Sequence, residues 1–171
     1  DSWNNIKDLS KKYSYIKGIN LSRNFGQHNA LMAGLNNCIG EKVITLDDDL
    51  QHPPEFIQQI LQKLDDCEVC YTNYRNRQHL SWKKAVSNIN NIISSLLLGK
   101  PIGIYMSSFR GLNKNIVAEI VKFKKADVYI DGLIINSTKK IKMITVDHHA
   151  RRSGQSNYNF KKLLVLWSNM I

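Results

Sequence analysis

Apolar positions change their period several times along this 171-residue chain, and each change predicts an element. In DSWNNIKDLSKKY, Trp3, Ile6, Leu9 and Tyr13 follow the spacing of one helix face, with Asp1 or Ser2 placed to cap it. YIKGINLS (15–22) alternates as a strand does, and GQHNALMAGLNNCIG (26–40) reads as a helix ending at Gly40. Residues 43–47 form a short β-branched and aliphatic run, the pattern of a buried strand, and Pro53 opens a helix to about Leu64 whose stripe is Phe56, Ile57, Ile60, Leu61 and Leu64. Residues 67–74 are again extended. The second half predicts a helix from Trp82 to Leu98, a strand in MSSFRGL, a helix in NKNIVAEIVKF capped by Asn113, a strand in KIKMITVDHH, and a loop into helix over ARRSGQSNYNFKKLL. Such alternation predicts an α/β fold with a mostly parallel sheet covered on both faces. No internal repeat or linker divides it, so 1–171 reads as a single domain.

The most unusual feature of that pattern is VITLDDDLQHPPE, three aspartates directly after an apolar strand. The carboxyl edge of an open α/β sheet is where ligands collect. Asp47, Asp49 and Gln51 alternate with Asp48 and Leu50, so in an extended segment the first three face one side, a donor set suited to Mg²⁺ or Mn²⁺. A solvated acidic turn capping the helix at Pro53 explains the triplet equally well.

Charge narrows the partners. There are 24 Lys and Arg against 14 Asp and Glu, a net +10, which favours an anionic surface, nucleic acid or a phosphorylated substrate. Three cysteines, Cys38, Cys67 and Cys70, complete no zinc site and fit a reducing compartment. Cys67 and Cys70, three apart in an extended segment, are expected on opposite faces, as structural thiols. No signal peptide is present and no apolar run reaches the roughly 20 residues that span a bilayer. The start at Asp1 without methionine and the apolar end LLVLWSNMI read as the cut edges of a longer chain.

Four stretches, LSRNFGQHNALMAGL, VITLDDDLQHPPE, SSFRGL and HHARRSGQSNYNFKKLL, occur in an order and spacing that resemble family 2 glycosyltransferases of the GT-A fold. Within that family the chain is similar to the polyprenyl-phosphate glycosyltransferases, a likeness that YRNRQHLSWKKAVSNIN extends. The resemblance covers nearly the whole chain and implies a GT-A-type sheet lacking its first strand, in a catalytic domain whose full-length parent is anchored at the cytoplasmic face of a cell membrane, the bacterial inner membrane. It implies inverting transfer of a sugar from a nucleotide-sugar to a polyprenyl phosphate in cell-envelope biogenesis, with Mg²⁺ or Mn²⁺ on Asp47, Asp49 and Gln51. The nucleotide-sugar is assigned to Arg23, Asn24, Asp47 and Asp48. The acceptor phosphate is assigned to Arg110, Arg151, Ser156 and Tyr158, the last three from R-x-x-G-x-S-x-Y, and the catalytic set is Asp49, Arg110 and Arg151. A phosphate acceptor is already ionised, so no strong general base is needed.

Other residues carry weaker expectations. Gly26, Ala30, Ala33 and Gly34 read as close packing on the sheet, and at most one of His148 and His149 faces the site, with no role assigned to either. Arg75 and Arg77 lie in a charged loop, and the 82–98 helix, flanked by Lys83, Lys84 and Lys100, suits a core or a membrane surface. Asp131 carries no assigned role. Two other functions compete: a soluble family 2 enzyme with a glycan acceptor, which would need a carboxylate base, and a basic nucleic-acid module, which the scattered aromatics disfavour. Nucleic acid is accordingly not expected as a partner, and a homo-oligomer is left open.

Overall fold

The computed structural model describes residues 2–74 and 103–146. In chain order the elements are α1 (Ser2–Lys12), α2 (Gln27–Asn36), β1 (Lys42–Thr45), a 3-10 turn (Pro54–Phe56), α3 (Ile57–Lys63), β2 (Val69–Tyr74), β3 (Arg110–Asn113), α4 (Lys114–Ile120), α5 (Ile130–Ser137) and β4 (Ile141–Val146).

The strands form one sheet in the order β1-β3-β2-β4. β3 runs antiparallel to both its neighbours while β2 and β4 are parallel, so three strands share a direction and β3 is inserted against them. Thr45 and Tyr71 flank Arg110 in register from either side. Alternation along the strands divides the core. Val69, Tyr71 and Leu112 face α2, α4 and α5 with Met32, Leu35, Ile116, Ile120, Ile130 and Ile134. On the opposite face Cys70 and Phe109 meet Ile60 and Leu64 around α3. There a Cβ on Gly111 would stand 2.4 Å from Ile60 Cγ2, so only glycine lets α3 come this close to β3.

Several sequence expectations are corrected. Residues 15–22 join no strand ladder, and Tyr15 and Ile19 are exposed; alternation alone makes no strand without a hydrogen-bonded neighbour. Helix α2 stops at Asn36 rather than Gly40, because Asn36 Nδ2 and Asn37 Nδ2 turn back onto the carbonyls of Met32 and Ala33. Asn113 stands at the start of α4 but does not cap it: its amide donates to Leu64 O and Cys67 O, tying β3 to the turn before β2. Cys67 and Cys70 share one apolar cluster because Cys67 precedes the strand's start at Val69. Both are free and buried, and desolvation pushes Cys70 up to about 12. Gly26 and Gly34 pack against nothing within 4 Å of a built Cβ; Gly26 instead serves its φ of 84°. Helix α5 was not expected, since Gly132 and three isoleucines read poorly as a helix. Among the described residues no helix is long and apolar enough to cross a membrane. The expected helix at 82–98 lies outside the described residues.

Candidate active site at the carboxyl end of β1

Past Thr45 the chain leaves the sheet and turns, and burial alternates through the turn. Asp47, Asp49 and Gln51 are half-buried, whereas Asp48 and Leu50 are exposed. Leu50 adopts a φ of 61°, uncommon for a residue with a side chain, and Asp49 Oδ1 accepts the Gln51 N–H at 3.1 Å across that bend. The turn is pinned from three sides at Asp47. Gln27 Nε2, in the first turn of α2, donates to its Oδ1 at 2.9 Å; Ser108 Oγ donates to its Oδ2 at 2.6 Å; and its backbone N–H donates to His52 Nδ1 at 2.9 Å. His52 is buried and stacks on Phe109 with ring centroids 5.2 Å apart. Thr45 Oγ1 donates to Ser108 O at 2.7 Å, closing the link between β1 and the segment leading into β3.

Arg23 and Asn24 form the exposed loop before α2. Asn24 Oδ1 accepts the Gly26 N–H at 2.9 Å, and the Arg23 guanidinium lies 4.7 Å from the Phe25 ring centre. The helix that follows this loop reaches the acidic turn through Gln27; Arg23 and Asn24 themselves contact only their own loop in the bonds above.

Arg110 stands at the start of β3 but is buried in an ion pair. It opens β3 with only 2% of its surface exposed, its Nη1 paired to Asp131 Oδ1. Tyr71 Oη donates to the same oxygen at 2.7 Å, and the Arg110 guanidinium lies 5.6 Å from the Tyr71 ring centre. Burial opposes the charge of Arg110, yet Asp131 and Tyr71 together raise its pKa above the ordinary value. Burial, then Asp131, pushes the Tyr71 phenol well above its usual range, so it remains a donor. Among the described residues Arg110 Nε is enclosed without a hydrogen-bond partner. Arg151, Ser156, Tyr158, Arg75, Arg77, His148 and His149 lie outside the described residues.

Gln27, His52, Ser108 and Asp131 support the site and were assigned no part in it from sequence. The available signals were the polar pair Gln27-His28 opening a helix and the acid in the first turn of α5. Among the described residues no group of three or more His, Cys, Asp or Glu gathers to enclose a metal. Two half-buried carboxylates and an amide oxygen instead fit an ion that completes its shell with water and substrate phosphates.

The family model described as glycosyl transferase family 2 matches residues 1–121. The undecaprenyl-phosphate 4-deoxy-4-formamido-L-arabinose transferase of Enterobacter sp. (strain 638) is 33% identical over 159 residues, covering 92% of this chain and 49% of that protein. Its counterpart in Salmonella paratyphi B is 33% identical over 167 residues, covering 97% of this chain and 51% of that protein. The chain thus spans about half the length of the curated relatives it matches. Among solved structures, Mycobacterium tuberculosis glucosyl-3-phosphoglycerate synthase in complex with Mn²⁺, UDP and phosphoglyceric acid superposes with a TM-score of 0.58 at 18% identity, covering 85% of this chain and 54% of that one. A second structure of that synthase, with phosphoglyceric acid, gives 0.57 at 16% identity over 89% of this chain and 55% of that one. The α/β sheet described above is therefore of the GT-A type.

Proposed function

Because the chain belongs to glycosyl transferase family 2, we propose that the whole protein transfers a sugar from a nucleotide-sugar to a polyprenyl phosphate at the cytoplasmic face of a bacterial membrane. The observation that carries this reading is the turn after β1, where Asp47, Asp49 and Gln51 are half-buried on alternate positions and Asp48 is exposed. It is supported by relatives whose names specify undecaprenyl phosphate, and by the net +10 charge, which suits anionic substrates and lipid.

Asp47, Asp49 and Gln51 hold Mg²⁺ or Mn²⁺, a fit supported by the Mn²⁺ and UDP named in a structural neighbour. The ion supplies stabilisation of the charge that develops on the departing diphosphate. Arg23 and Asn24, with Asp47 and Asp48, face the nucleotide-sugar. Gln27 and Ser108 hold the Asp47 carboxylate in a fixed orientation, so its geometry is set before substrate arrives. The lipid phosphate is ionised before it reacts, and a single displacement at the anomeric carbon inverts its configuration without a strong base. Arg110, Arg151, Ser156 and Tyr158 serve to bind that phosphate. Asp131 fixes Arg110 through Nη1 within the sheet.

The test is transfer by the full-length protein from a panel of nucleotide-sugars to undecaprenyl phosphate, with and without EDTA, beside a glycan acceptor. Transfer to the lipid that stops on chelation and resumes with Mg²⁺ or Mn²⁺ is expected. Transfer to the glycan alone, or transfer indifferent to chelation, refutes the reading.

A further inference from the structure

His52 closes the acidic turn on itself. Its Nδ1 accepts the Asp47 N–H at 2.9 Å, so residues 47–52, which hold all three aspartates and Gln51, form a loop pinned at both ends. An Nδ1 that accepts carries no proton, and the neutral ring then keeps its proton on Nε2.

The same ring seats the loop on the sheet. His52 is buried and stacks on Phe109, with ring centroids 5.2 Å apart and planes at 15°. Phe109 is a fixed platform. Its side chain is buried beside Ile60, Leu64 and Cys70, and its carbonyl accepts the Thr72 N–H at 3.2 Å and the hydroxyls of Thr72 and Ser107 at 2.8 Å each. The residue before it, Ser108, donates to the Asp47 carboxylate at 2.6 Å. Two consecutive residues therefore hold Asp47, Ser108 by its side chain and Phe109, through His52, by its backbone. Histidine suits this place because it sets an acceptor next to Cγ on a flat ring.

We propose that His52 is a positioning residue that fixes the acidic turn, by its Nδ1 on the Asp47 amide and by its ring face on Phe109. It acts on a bound ion only through Asp47, and that consequence rests on the function proposed above. Losing a group that orients a metal ligand typically weakens metal binding about 10–100-fold.

The experiment separates the two halves of the ring in the full-length protein. His52→Asn keeps an acceptor one bond from Cγ and loses the ring; His52→Phe keeps the ring and loses the acceptor. Hydrogen–deuterium exchange is resolved at the Asp47 amide, Mn²⁺ binding is read from the free-ion EPR signal, and urea midpoints report stability. The Asp47 amide should be protected in the unmutated protein and in His52→Asn but exposed in His52→Phe. Mn²⁺ binding should weaken about 10-fold or more in His52→Phe and less in His52→Asn, although the lost stacking lowers the urea midpoint of His52→Asn. Mn²⁺ binding that weakens equally in both variants would mean that His52 merely fills space. An Asp47 amide that exchanges as freely as an unprotected one in the unmutated protein overturns the proposal whether or not either variant folds. Absence of Mn²⁺ binding by the unmutated protein would reject the metal-dependent function, while the Asp47 amide still decides whether His52 holds the turn.

Discussion

Replacing Asp131 with asparagine keeps the shape of the Arg110 network and removes its only carboxylate among the described residues. Asparagine Oδ1 can still accept from Tyr71, so the loss is concentrated on Arg110, whose side chain is 2% exposed and cannot recover water as a partner. Breaking a buried ion pair from one side costs about 3–5 kcal/mol, because an uncompensated charge remains in the interior. The reverse change, Arg110→Met, should cost less: Asp131 is 15% exposed, keeps its Tyr71 donor and sits in the first turn of α5, where a helix favours negative charge. The double variant Asp131→Leu/Arg110→Met leaves neither charge behind and should recover part of the loss. Urea unfolding followed by circular dichroism measures all three, read as a shift of midpoint at unchanged slope. A cost below about 1 kcal/mol for Asp131→Asn, the level of an exposed pair, or a larger cost for Arg110→Met, would refute this account of the network.

Asp49→Asn should reduce transfer by about 100-fold or more, as expected when a group stabilising leaving-group charge is weakened, and Asp48→Asn by much less; equal losses in a transfer assay would undo the argument from alternate exposure. Gly111→Ala should destabilise by about 1–3 kcal/mol through overpacking, because the new Cβ would meet Ile60 Cγ2 at 2.4 Å and Leu64 Cδ1 at 2.9 Å; an unchanged urea midpoint would mean that α3 shifts freely. Among the three cysteines, Cys38 should react first with iodoacetamide at pH 8, since Cys67 and Cys70 are buried and Cys70 is pushed up to about 12; peptide mapping showing early modification of Cys70 would contradict that burial.

The acidic turn was legible because all its signals are local. An apolar run ends, the acids alternate, and Pro53-Pro54 forces the chain out of the strand before α3. The partnership of Arg110 with Asp131 was not legible, since it joins residues 21 apart, and Tyr71 enters from 60 residues away from Asp131. Nothing in VYIDGLII marks its acid as paired, and Gly132 hides the helix that presents it. The insertion of β3 against the direction of its neighbours was equally hidden, since a strand of four residues carries no sign of its direction. Legibility therefore ended where a side chain's surroundings depend on strand order rather than on neighbouring sequence.

That strand order is what makes the acidic turn and the buried ion pair one device. Residues opposite one another in adjacent antiparallel strands share a face, so Thr45, Arg110 and Tyr71 form a row across β1, β3 and β2 on the side covered by α2 and α5. Just before the strand begins, Ser108 accepts Thr45 Oγ1 through its carbonyl and donates its own hydroxyl to Asp47. Helix α2 contributes Gln27 on Asp47 and His28 edge-on to Tyr129, the residue before α5. Asp47 is thus tied through Ser108 to the segment that leads into Arg110, and through Gln27 to the first turn of α2. Under the proposed function the donor sits at the acidic turn, and the hydrogen bonds from Gln27 and Ser108 set the orientation of the Asp47 carboxylate before it arrives.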